Sequence, residues 1–186
     1  MKKFLLLTSL FMLMFLGFLS NAQATTLWGV TNGINDSGVW SGGEIFTFDT
    51  VTGTVDVQNS YDNLNAFGDI AVDANGDVYV TYYGQDGFDQ LAKVNTLTWG
   101  FDWTIDLGDS DDQVNALEFI DGTLYGVTGG GIAANLLEFT LQGSGATVNN
   151  LGNIGSNSDG DIAKNPVDGE TYYTSWETGS KSDLNT

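Results

Sequence analysis

Carboxylates are the one reactive group this sequence supplies in quantity. Of its 24 acidic residues, 19 are aspartate. Many sit in three short segments at matching places along the chain: 62–69 (DNLNAFGD), 108–113 (GDSDDQ) and 157–161 (NSDGD). Carboxylate and carbonyl oxygens are the ligands of hard cations such as calcium. Carboxylates gathered without a cation repel and raise one another's pKa values. The candidate ion is therefore calcium, and the candidate ligands are Asp69, Asp111, Asp112, Asp159 and Asp161. Against this stands the local habit of aspartate, whose short side chain bonds nearby backbone in turns. That habit alone accounts for each segment, and both readings stay open. Asp73-Ala74-Asn75-Gly76-Asp77 begins like an EF-hand loop but lacks the bidentate glutamate such a loop ends on, so it reads as a hairpin turn.

Other chemistries are thinly supplied. The chain has no histidine and no cysteine, which removes Ser-His-Asp and Cys-His catalysis, imidazole-ligated zinc and disulfides. Paired carboxylates are the machinery of glycoside hydrolysis, but acidic pairs recur throughout this chain and single out no position. Gly129-Gly130-Gly131 lacks the lysine and the helix of a phosphate-binding loop and reads as a flexible link. Trp99 and Trp103 flank a turn. Aromatic faces of this kind stack on sugar rings, yet large aromatics serve first of all in packing.

Charge narrows the partners. Lys2, Lys3, Lys93, Lys164 and Lys181 are the only basic residues, and arginine is absent. Nucleic acid and anionic lipid surfaces both need clustered cations, so neither is expected as a partner. Lys2 and Lys3 precede an apolar run over residues 4–19, and Ala22-Gln23-Ala24 supplies a small-residue cut site. That is the form of a secretory signal peptide, too short for a spanning helix. Cleavage after Ala24 leaves residues 25–186. Without the two leader lysines the formal charge moves from −19 to −21. A secreted, periplasmic or cell-surface location is expected, with no membrane insertion after cleavage.

The elements that must position these groups repeat. The stretch 69–81 (DIAVDANGDVYVT) returns as 115–128 (NALEFIDGTLYGVT) and as 161–174 (DIAKNPVDGETYYT), and its second half appears at 27–31 (LWGVT). Trp28, Tyr79, Tyr125 and Tyr172 mark the repeats, a spacing of the order that short-stranded blade arrays use. No window sustains a helical apolar period, whereas alternating runs bounded by Asn-Gly and Asp-Gly are common. The second copy parses into strands at 69–73, 77–83, 90–95 and 101–107. The third parses into 114–120, 123–128, 136–141 and 146–151.

LWGVT with IFTFDTVTG, and LYGVT with LLEFTLQGSG, resemble the blades of secreted bacterial β-propeller repeat proteins, and are loosely similar to NHL, YVTN and quinoprotein-type propellers. The resemblance implies an all-β propeller of four-stranded antiparallel blades. About three blades are present: a partial blade at 25–61, blades at 62–107 and 108–155, and a partial blade at 156–186. Propellers close with about 4–8 blades, so the chain is expected to be a fragment of a longer protein or an open ring. The resemblance also places the links before each first strand, and those between second and third strands, at one channel mouth. The expected function is a non-catalytic binding or scaffold module for a protein or glycan ligand, stabilised by calcium. The competing readings are the non-catalytic part of a propeller hydrolase, lactonase or glycan-active enzyme, and a surface adhesion or structural repeat protein.

Overall fold

The computed structural model describes residues 26–34, 40–85, 88–109, 113–129, 134–155, 161–175 and 183–185. Fourteen strands form four successive antiparallel sheets, and no helix occurs among these residues. In particular, none there is long and apolar enough to cross a membrane. The first sheet contains β1 (Thr26–Ile34), β2 (Trp40–Asp49) and β3 (Val55–Tyr61), in that order. The second runs β4 (Leu64–Val72), β5 (Val78–Gly84), β6 (Phe88–Val94), β7 (Phe101–Asp109). The third runs β8 (Val114–Ile120), β9 (Thr123–Thr128), β10 (Ala134–Gln142), β11 (Gly145–Gly155). The fourth holds β12 (Ile162–Lys164), β13 (Thr171–Ser175) and β14 (Asp183–Asn185). Each strand pairs with its neighbour in sequence, so every sheet is a meander, the architecture of a propeller blade.

The turns show why these sequences fold locally. At 73–77 the Asp73 carboxylate accepts hydrogen bonds from the Asn75 and Asp77 N–H groups at 2.8 and 2.9 Å. Gly76 supplies the positive φ of 86° that the turn requires. Lys93 Nζ lies 2.6 Å from the Asp77 carboxylate across the hairpin. The EF-hand-like stretch is a self-satisfied turn.

Sheets pack face on face, and the apolar residues sort into three layers. The first layer joins Ile45 and Tyr61 of sheet one to Val78, Val80, Ala92 and Val94 of sheet two. Between sheets two and three lie Ala71, Tyr79, Leu91 and Trp103 against Leu117, Leu124, Leu137 and Phe139. The third is smaller, with Ala116, Val127 and Ala134 against Ile162. Trp28, Tyr79 and Tyr125 all lie on the forward face of their sheet, the one that meets the next sheet along the chain. Strand pairing places Tyr172 on the same face of sheet four, beside Ala163 and opposite in sense to Tyr173.

β4 begins at Leu64, five residues before the strand the sequence suggests. The added residues pair with the end of β5, Leu64 with Gly84, Ala66 with Tyr83 and Phe67 with Tyr82, across register shifts at 64–66 and 67–70. Asn32 of sheet one also accepts from the Phe67 N–H at 2.6 Å and donates to the Phe67 carbonyl at 3.0 Å. Much of the carboxylate-bearing link 62–69 is therefore sheet, and Leu64 within it is buried.

Candidate functional site

Two places on this scaffold gather polar chemistry. The first surrounds Asp69 on β4, the first strand of sheet two. One carboxylate oxygen accepts from the Ile70 N–H at 2.8 Å, and the other accepts from the Leu117 N–H of β8 at 2.7 Å. The side chain thus ties sheet two to sheet three. The Asp69 N–H donates to Thr81 Oγ1 at 3.0 Å, and the Thr81 hydroxyl donates to the Val114 carbonyl at 2.8 Å. The motif recurs in sheet four, where Asp161 N–H donates to Thr174 Oγ1 and Asp161 Oδ1 accepts from Ile162 N–H. Strand pairing puts Asn115 at the same position in sheet three.

Burial dominates the electrostatics here. Desolvation pushes Asp69 up to about 7, against the two N–H bonds that favour its anion, and the charges of Asp161 and Glu118 add to the rise. Glu118 is likewise raised, by burial first and by Asp161 second. The charge of Asp161, like Asp69 a sequence candidate, thus bears on both Asp69 and Glu118. Nothing in the sequence marked Glu118, which reads as an ordinary alternating strand residue. Asp111, Asp112 and Asp159 lie outside the described residues. Among the described residues, no group of three or more acidic side chains is arranged to hold a metal ion.

The second place is a cleft of about 720 Å³ between sheets one and two. Its aromatic wall is Tyr61, Trp99 and Phe101, and Asn59, Asp62, Asn63 and Gln85 supply amides and a carboxylate. Tyr61 stacks on Phe101 with ring centroids 5.5 Å apart and planes 3° from parallel. Its hydroxyl donates to the Trp99 carbonyl at 2.9 Å, and burial raises its pKa. Trp99 leans on Trp28 of the first sheet, 6.1 Å between centroids.

Trp99 is also one of two non-glycine residues with positive φ among those described, at 59°. The reason is visible in the first sheet. The turn at 49–54 (DTVTGT) and the turn at 95–100 (NTLTWG) share their backbone bonds and the cap on their first residue. Asp49 and Asn95 accept from the N–H groups two and three residues on. Gly53 N–H donates to the Asp49 carbonyl at 2.8 Å, as Trp99 N–H donates to the Asn95 carbonyl at 2.7 Å. Gly53 has φ 72°. Tryptophan stands where the turn calls for glycine. The left-handed conformation costs a residue with a β-carbon roughly 1–2 kcal/mol.

Trp103, by contrast, is buried between sheets two and three beside Tyr79, at 6.0 Å, and serves packing.

No protein-family model and no curated protein matches this chain. Among solved structures it is similar to the crystal structure of TolB from Acinetobacter baumannii, at 15% identity and a TM-score of 0.49. The match covers 87% of this chain and 40% of that one, so the chain spans two-fifths of that structure's length. The described residues form an all-β array of four successive antiparallel meander sheets. Its ligand chemistry has to be read from its own residues.

Proposed function

We propose that the chain is an exported, non-catalytic propeller module that binds a neutral glycan in the cleft between its first and second sheets. The observation that carries this reading is Trp99, held in a left-handed turn position at the cleft wall. Strain retained in a backbone points to a functional constraint. The surroundings supply the two halves of sugar recognition. The Trp99 ring offers the aromatic face for the C–H side of a pyranose, and planar amides and a carboxylate bond its hydroxyls; Tyr61 and Phe101 are stacked on each other and form the packed floor of the wall. Among the described residues no lysine lines the cleft, so an anionic ligand is disfavoured.

The test is isothermal titration of the chain against neutral oligosaccharides of the cello, xylo, malto and chito series. Wild type is expected to bind at least one series, and Trp99→Gly to lose at least tenfold in affinity to it. Trp99→Gly keeps the turn, because glycine is its preferred residue. Retained binding in that variant, or no binding to any series, overturns the assignment.

Calcium at the carboxylate mouth forms a second part of the proposal, supported by the charge of Asp161 raising both Asp69 and Glu118. Asp111, Asp112 and Asp159 are the further ligands proposed for it.

A further inference from the structure

The inter-sheet layers follow one plan, and at one position the middle layer departs from it. Trp28, Tyr79 and Tyr125 pair across their hairpins with Thr47, Lys93 and Glu138. Four residues before each of these partners stand Gly43, Asp89 and Ala134, on the forward face of sheets one, two and three. Gly43 is buried, and a β-carbon there would lie 2.7 Å from the Phe67 ring of the next sheet. Ala134 is 0% exposed in its own layer. Asp89 is 5% exposed, and its Oδ2 is enclosed. A carboxylate thus stands where the other two sheets bury glycine and alanine.

The facing strand departs at the same place. Phe67 pairs with Tyr82 and Val114 with Thr128, three residues past Tyr79 and Tyr125, so Val114 is the counterpart of Phe67. In the first layer the Phe67 ring takes the space over Gly43. In the second, valine replaces the ring and aspartate replaces the glycine. Among the described residues, Asp89 and Val114 bound a cavity of about 20 Å³, which Tyr83, Gln113 and Asn115 also line. That is room for one water-sized occupant. The place is distinct from Asp69, whose carboxylate is engaged by the Ile70 and Leu117 N–H groups.

We propose that this cavity binds one alkali-metal cation, a sodium or potassium ion, between sheets two and three. A water molecule fits the volume, but a cation also offsets the charge of a carboxylate buried in a low-dielectric site. The oxygens on offer set the charge of the ion. Asp89 supplies one negative charge, while Tyr83, Gln113 and Asn115 are neutral, so a monovalent ion leaves the site neutral. Calcium would leave a buried positive charge, and its sites gather about 6–8 oxygens, commonly from several carboxylates.

Thermal unfolding of the chain with chelator present, in sodium or potassium chloride against tetramethylammonium chloride at equal ionic strength, tests it. The organic cation screens charge equally and is too large for the cavity. At about 0.3 M, roughly tenfold over a Kd of about 30 mM, at least one of the two ions should raise the midpoint by at least about 3 °C over tetramethylammonium. Asp89→Ala should lose that difference, and alanine is the residue that sheet three buries at this position. Asp89→Asn, which keeps the shape and removes the charge, should lose it too; circular dichroism checks that both variants fold. Asn115→Ala keeps the carboxylate and should move the salt titration to at least about threefold higher concentration, the effect of losing one neutral oxygen ligand. Equal midpoints of the wild type in alkali-metal and tetramethylammonium salts overturn the proposal. So does an alkali-metal increment that survives both Asp89 variants. An increment found only with calcium chloride, in a chelator-free arm, and lost in Asp89→Ala overturns it as well, because the site is then divalent.

Discussion

At the scale of single residues, Asp69 and Trp99 are both held where their side chains are costly. For Asp69 the cost is desolvation, and its consequence is a pH dependence of definite sign. The folded pKa of about 7 lies above the ordinary aspartate value. Between the two values the folded state binds the extra proton, so stability is fully present below about pH 4 and is lost as pH rises through about 7. Thermal unfolding with chelator present should therefore show a falling midpoint from pH 5 to pH 8. Asp69→Asn should flatten that slope, and asparagine already stands at the matching position 115. A slope unchanged by Asp69→Asn would place the proton elsewhere. For Trp99 the cost is backbone strain, and its removal can be weighed against lost packing. Trp99→Gly relieves about 1–2 kcal/mol of left-handed strain and gives up the contact of a half-buried ring with Trp28. These nearly offset, so its unfolding midpoint should stay within a few degrees of wild type. A fall equivalent to about 3–5 kcal/mol, the cost of emptying a core aromatic site, would show that Trp99 is core and remove the argument for a ligand.

At the scale of elements, the threonines that end the second, third and fourth LYGVT-like stretches, Thr81, Thr128 and Thr174, are clasps between sheets or strands. Thr81 links the Asp69 N–H to the Val114 carbonyl, Thr174 receives the Asp161 N–H, and Thr128 receives the Asn135 N–H. Thr81 is buried, so Thr81→Val leaves a backbone N–H and a carbonyl without that partner. The expected loss is about 1–3 kcal/mol, read as a lower denaturant midpoint with unchanged m-value. A loss below about 0.5 kcal/mol would mean that other groups satisfy both atoms. The strands and their turns were legible in the sequence because apolar alternation and Asn-Gly or Asp-Gly signals are local. The start of β4 was not, because register shifts between Leu64 and Ala66 and between Phe67 and Ile70 interrupt the alternation while the pairing with β5 continues to Leu64. Nor was the cleft, since the sequence shows Trp99 beside Gly100 and nothing tells which of them takes the left-handed position. Trp99 and Trp103 looked alike in sequence, yet one lines a cleft and the other fills a core layer.

At the scale of the whole molecule, charge sets what an ion can do. A chain with formal charge −19, or −21 without the leader lysines, is destabilised by its own field, and any salt relieves part of that. A rise in stability with calcium is therefore ambiguous unless screening is removed from the comparison. The decisive measurement sets calcium chloride against sodium chloride and magnesium chloride at equal ionic strength. A hard-cation site with several oxygen ligands favours calcium over the smaller, more tightly hydrated magnesium. A site occupied at a hundredfold excess over its Kd adds about 2.7 kcal/mol, which for a domain of this size raises the midpoint by about 5–10 °C. Screening adds the same increment with every salt of that strength. The expected outcome is an increment specific to calcium that Asp111→Asn with Asp112→Asn abolishes. An increment specific to calcium that survives the double variant removes those two residues from the site. An increment shared equally by sodium and magnesium leaves the aspartates as turn formers. Asp69 would then serve as the tie between β4 and β8, with its proton in place of a metal.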